Sequence, residues 1–200
     1  VAIGGAGVEV AFVGPINHGT GGSPRLKLFS KDAGKSINGN SVAVAISYGK
    51  AKILLCGDMN AMSEEGFLDR YSDGGLRANV FKANHHGSHD FSTRFLDAVK
   101  PWVSVVSSGD YPDYGHPRAV LLGCLGRYSP QNVERPLLFS TEIAATFKPI
   151  SGSQIDGLDA NAGEPGAKPK AHTYEKTIHG MITVRTDGSW LAAGRVYGKE

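Results

Sequence analysis

Apolar side chains recur along this chain with two different periods, and the alternation between them sets out its elements. VEVAFVG (8–14) alternates apolar with polar or small residues and predicts a strand, closed by Gly14-Pro15. SVAVAISYG (41–49) and AKILLCGD (51–58) are apolar β-type runs with almost nothing between them, which predicts an antiparallel hairpin turning at Tyr48-Gly49-Lys50. ANVFKA (78–83) and WVSVVSS (102–108) predict two more strands, and RPLLFST (135–141) and AATFKP (144–149) are further β-type runs. The helical period appears in three places. NAMSEEGFLDRY (60–71) spaces Met62, Phe67, Leu68 and Tyr71 for one face. DFSTRFLDAVK (90–100) does the same with Phe91, Phe95, Leu96 and Val99 and is ended by Pro101. RAVLLGCLGRY (118–128) has Pro117 at its entrance.

Residues 15–40 are glycine-rich and polar without a sustained period, which predicts loop. The last alternating runs, HGMITVRTDGSWLAAGRV (179–196), surround Asp187-Gly188 and predict a hairpin. Between residues 41 and 128 strand pairs alternate with single helices, which predicts a mixed α/β layered domain. The whole chain, 1–200, is expected to be one domain, with a flexible Gly/Pro/Lys-rich loop over about 151–177.

Composition narrows the function classes. A net charge of +2 gives no global electrostatic case for nucleic acid or membranes, so a nucleic-acid substrate needs a local site. No apolar run approaches the roughly 20 residues that cross a bilayer, and no leader-like segment opens the chain. The compartment stays open, with a lean towards the cytoplasm. Cys56 and Cys124, the two cysteines, lie in apolar runs and read as buried, protonated thiols rather than a disulfide or a nucleophile. The chain opens abruptly on VAIGGAGVEVAFVG rather than on Met, so a mature or trimmed piece of something longer is expected.

The chemistry gathers at the ends of three apolar runs. ILLCGD delivers Asp58, VFKANHHG delivers His85 and His86, and the segment after VSVVSSG delivers His116. Layered α/β folds place functional groups at such strand ends. One carboxylate with two or three imidazoles suits zinc or another first-row divalent ion, which would lower the pKa of a bound water towards about 7. Ser88 and the backbone N–H groups after Gly87 are candidates for holding an anionic oxygen. His18, His89, His172 and His179 read as structural or surface residues, and Lys82, Arg118 and Arg127 as scattered surface charge. Glu64 and Glu65, adjacent at a helix start, read as solvent-facing groups that favour the helix dipole.

Four motifs in order carry a resemblance: Asn40-Ser41, Gly57-Asp58, His85 to Ser88, and Gly115 to Pro117. Together they resemble the second half of a metallo-β-lactamase-fold hydrolase, most closely the ComEC-type hydrolase domain of bacterial DNA uptake and its soluble relatives. The resemblance covers about residues 38 to 120, and more loosely HGMITVRTDG. It implies an αββα four-layer sandwich, of which this chain carries mainly the C-terminal half. It implies hydrolysis by a metal-bridged hydroxide, with a nucleotide or nucleic-acid phosphodiester as substrate and two zinc ions, or manganese, in the complete site. Asp58, His86 and His116 would be metal ligands, His85 a catalytic acid or phosphate contact, and Ser88 and Asn40 substrate-binding residues. Which of His85 and His86 ligates the metal and which acts on the substrate stays open.

One part of the family pattern is missing. The His-x-His-x-Asp-His loop that supplies most ligands is absent, and His18 does not replace it. Three explanations follow: the amino-terminal half lies outside this chain or in a companion chain, it was clipped from a precursor and stays bound, or the domain has lost its metal. In the last case the chain is an inactive module that binds a partner protein.

Overall fold

A computed structural model of the chain describes residues 7–109, 115–131, 136–143, 178–179 and 181–196. Its centre is a six-stranded mixed sheet, and each strand follows an apolar run. The strands are β1 (Val8–Gly14), β2 (Ala43–Tyr48), β3 (Ala51–Leu55), β4 (Val80–Lys82), β5 (Val103–Val106) and β6 (Leu137–Ser140), adjacent in that order. β1, β2 and β3 are antiparallel neighbours, and β2 turns into β3 through Gly49-Lys50, with Tyr48 opposite Ala51. From β3 to β6 every pairing is parallel. Each parallel step is bridged by one helix: α2 (Ala61–Arg70), α3 (Thr93–Val99) and α4 (Ala119–Arg127). Three successive crossovers in one direction put all three helices against one core.

The core lies between that face and the helices. Ala45, Leu54 and Phe81 lie in one cross-strand row, with Ala43, Cys56, Ala83 and Val106 on the same side. They pack against Phe67 of α2, Phe95, Leu96 and Val99 of α3, and Leu121 and Leu125 of α4, all at most 2% exposed. The opposite row, Phe12, Val44, Leu55, Lys82, Val105 and Phe139, is apolar except for its lysine. It is only half-buried, and Phe12 is 64% exposed. No described helix is long and apolar enough to cross a membrane.

The terminal runs form the expected hairpin, with Met181–Thr186 and Leu191–Val196 antiparallel. It is tied to the β2–β3 turn where the Lys50 N–H donates to the Gly188 carbonyl. A second compact unit, residues 142–179, contributes one described pairing, Glu142–Ile143 with Ile178–His179. AATFKP, His172 and the 151–177 segment lie outside the described residues.

Two expectations need correction. The 15–40 segment holds a helix, α1 (Ala33–Gly39), whose N-cap Asp32 accepts from the Lys35 N–H. It escaped the hydrophobic pattern because AGKSING carries one apolar side chain larger than alanine, and its order comes from side-chain-to-backbone bonds. Glu64 is also not on the surface. It is 1% exposed, and the helix dipole is served instead by Asn60 and Ser63, which cap α2 reciprocally. Burial pushes the Glu64 carboxyl up to about 8, although hydrogen bonds from Ser92 and Asn84 pull it down.

Folding therefore takes up a proton at Glu64 between pH 4.5 and about 8. A raised carboxyl pKa means its contribution is fully present below the unfolded value and is lost as pH rises through the folded one. Urea unfolding at a series of pH values is expected to show stability falling over that window, by at most about 1.4 kcal/mol per pH unit. Glu64→Gln is expected to flatten the dependence, and an unchanged slope in the variant would rule this out. Cys56 is fully buried and its thiol is pushed up to about 12, chiefly by burial. Thiol reagents at pH 8 are expected to reach Cys56 only after denaturation; labelling of Cys56 in the native chain would contradict its placement.

Candidate functional site

Parallel register brings the strand ends together. Leu55, Lys82 and Val105 lie side by side, so β3, β4 and β5 release the chain along one edge. Asp58 follows the first, His85 and His86 the second, and Ser107 and Ser108 the third. The Asp58 loop is fastened at Ser41, whose hydroxyl accepts the Asp58 N–H at 3.0 Å. Gly57 takes φ +59°, and a Cβ there would stand 2.8 Å from the Ser41 side chain. The Gly57 carbonyl then accepts the His85 N–H at 3.0 Å and joins the two loops.

After β4 the chain makes a single tight turn, Asn84–Gly87, with unusual backbone. His85 has φ 48° and ψ 50°, and His86 has φ 53° and ψ 18°. Two consecutive left-handed residues with side chains cost about 1–2 kcal/mol each relative to ordinary backbone. Strain of this kind persists where the surroundings over-determine it, and it gathers at functional sites. Gly87 continues the turn at φ +89°, packed so closely on Pro117 that a Cβ would fall 2.7 Å from the proline Cβ. The Arg118 N–H donates to the Gly87 carbonyl at 2.8 Å, which brings the Gly115-His116-Pro117 segment against the histidine turn.

The site residues meet as two pairs. His86 Nε2 stands 3.4 Å from Asp58 Oδ1, and both side chains are about two-fifths exposed. His86 Nδ1 is 2.7 Å from the Ser107 carbonyl, which can only accept, so Nδ1 carries the proton. His85 and His116 form the second pair, with ring centroids 5.6 Å apart at 71°. His85 Nε2 lies 3.4 Å from the Asn38 amide, while its buried Nδ1 has no hydrogen-bond partner. The Ser108 hydroxyl donates to the His116 carbonyl at 2.9 Å and fixes that loop.

With Nδ1 engaged by Ser107, His86 turns its Nε2 towards the Asp58 carboxylate. An imidazole Nε2 and a carboxylate oxygen at this separation can share a cation, either a proton or a metal ion. Two donors on one tetrahedral zinc stand about 3.3 Å apart, close to the observed separation. Asp58 and His86 thus fit one edge of a metal site. No group of three or more His, Cys, Asp or Glu side chains able to hold a metal occurs among the described residues, so the pair does not make a closed site.

The remaining expected residues sit close by, with their polar atoms engaged locally. The Asn40 amide donates to the Ser36 and Lys27 carbonyls and accepts the Lys27 N–H, pinning the incoming chain to α1. The Ser88 hydroxyl, 5% exposed, accepts the Asp90 N–H. His18 and His89 are exposed, as are Arg118 and Arg127. Lys82 is not scattered surface charge. Burial holds its ammonium below the usual lysine value, and the nearby Asp58 charge opposes that shift. Its register position alone could have flagged it: a lysine in an apolar row, three residues before two histidines.

No family profile matches the chain, and no solved structure matches it. Three curated proteins do. Competence protein ComA of Neisseria gonorrhoeae is 38% identical over 81 residues, 40% of this chain and 12% of that protein. ComE operon protein 3 of Bacillus subtilis is 27% identical over 95 residues, 47% of this chain and 12% of that protein. Recombination protein 2 of Haemophilus influenzae is 29% identical over 92 residues, 46% of this chain and 11% of that protein. The chain is thus similar, over somewhat under half its length, to about an eighth of each of these much longer proteins.

Proposed function

We propose that this chain forms one wall of a divalent-metal hydrolase site acting on DNA or nucleotide phosphodiesters. In this reading it is the second half of a metallo-β-lactamase-type αββα fold. The observation that carries the proposal is the Asp58–His86 pair: a carboxylate oxygen and an imidazole Nε2, 3.4 Å apart, with the imidazole oriented from behind by a backbone carbonyl. The substrate class is drawn from the relatives, which are named for competence and recombination. The remaining ligands would come from a segment or companion chain outside these 200 residues. That is consistent with the two-donor edge and with the apolar sheet row that is left half-exposed.

In the complete site Asp58 and His86 would hold the ion, zinc or manganese, with His116, which packs against His85, as a further ligand. The ion would supply Lewis-acid activation of water. His85 would act as the acid or phosphate contact, and its Nδ1 has no hydrogen-bond partner of its own. Lys82 adds positive charge behind Asp58. A second reading is favoured by the absence of a three-ligand group among the described residues: a metal-free module that keeps the fold to bind a partner protein.

The test uses the complete gene product, with metal content and cleavage of single- and double-stranded DNA as readouts. Asp58→Ala and His86→Ala are each expected to weaken metal binding by about 100-fold, with loss of cleavage. His85→Ala is expected to lower kcat by about 100-fold with the metal content kept, and His89→Ala to change neither. A wild-type protein without metal or cleavage would sink the hydrolase reading and leave the partner-binding one.

A further inference from the structure

A buried carboxyl group is costly to keep unless its surroundings use it. Glu64 is such a group, and nothing described so far requires it. It does not cap α2, because Asn60 and Ser63 do that. It has no salt bridge among the described residues, and its charged neighbours Asp90 and Glu65 are both acidic.

We infer that Glu64 is the positioning residue that sets the conformation of the His85–His86 turn, through its hydrogen bonds to Asn84 and Ser92. The inference rests on reading His85 and His86 as site residues. One Glu64 carboxyl oxygen accepts from Asn84 Nδ2 at 2.7 Å, immediately before His85. The other accepts the backbone N–H of Ser92, the N-cap of α3. A single side chain therefore holds both flanks of the segment that contains the two left-handed histidines.

The neighbouring bonds reinforce that grip. Glu65 accepts from the Ser92 hydroxyl and pairs with Arg94, and the Asp90 carboxylate accepts the Ala61 N–H. The first turn of α2 thus acts as a clamp on the loop from Asn84 to Ser92. An apolar residue at position 64 would fill the space and leave two buried donors without acceptors. Glutamine would replace one acceptor oxygen with an amide that faces a donor.

The experiment is NMR on the 15N-labelled chain, wild type and Glu64→Gln, observing imidazole ring signals and amide exchange. The ring signals of His85 and His86 are expected to move in the variant while that of exposed His18 stays. The Ser92 amide is expected to exchange about tenfold faster, the ratio for losing one hydrogen bond of ordinary net strength. A folded variant with unchanged His85 and His86 signals would overturn the assignment and make Glu64 a packing residue. Should Glu64→Gln not fold, Asn84→Ala decides the same question from the other side of the contact, with unchanged ring signals again overturning it. A Ser92 amide unprotected in the wild type would overturn it without any variant. None of these readouts depends on metal or hydrolysis. Positioning can therefore hold where the hydrolase reading fails, and fail where it holds.

Discussion

The alignment of Leu55, Lys82 and Val105 across three parallel strands is the constraint from which the site follows. A parallel ladder with helical crossovers makes successive strands end on the same edge, because each helix returns the chain to the opposite edge before the next strand begins. Asp58, the paired histidines and Ser107 are each a few residues past such an end. Their meeting is a consequence of register. A one-residue slip of β4 would exchange Phe81 and Lys82 between faces, burying the lysine under the helices and turning the phenylalanine outward. The core row of Leu54, Phe81 and Ala45 therefore fixes the register that aims the polar loops.

Register brings the loops to one place without fixing their shape. The turn after β4 has two residues in a backbone region that side chains avoid, and its order comes from polar contacts below and beside it. Gly57 and Gly87 supply close backbone approaches on either side, one against Ser41 and the other against Pro117. The hydrogen bonds from His85 to Gly57 and from Arg118 to Gly87 join the three loops to one another. Glu64, Asn84 and Ser92 lie beneath them in the core. A site with strained backbone on top and direct hydrogen bonds to one buried carboxyl underneath is held in one arrangement more firmly than apolar packing alone would hold it.

Much of this was legible in the chain, and the exceptions share a cause. Hydrophobic periodicity located β1 to β6 and α2 to α4 to within a few residues, because all but β6 set apolar side chains in or against a common core. The ordered motifs brought Asp58, His85, His86 and His116 to attention as a set. Periodicity is silent where order comes from polar atoms. It missed α1, whose stability lies in Asp32, Ser36 and Asn40. It also placed Glu64 in solvent, since a glutamate in a first helical turn ordinarily serves the dipole. What could have flagged Glu64 was its spacing: in the α2 pattern it precedes Phe67 by three and Leu68 by four, on the stripe that faces the core.

Lys82 links the site to the exposed side of the sheet. It occupies the row of Phe12, Val44, Leu55 and Val105, yet its charge is felt by Asp58 at the strand ends. Half-exposed, that interaction is softened by water. A layer laid over the apolar row would remove water from the lysine, the carboxylate and the aliphatic surface together. Lower effective dielectric strengthens the Lys82–Asp58 attraction, while desolvation makes an uncompensated charge at either position harder to keep. The apolar face and the Asp58 edge are therefore not independent features: whatever covers the first alters the charge balance at the second, and a cation shared by Asp58 and His86 would be bound against that altered balance.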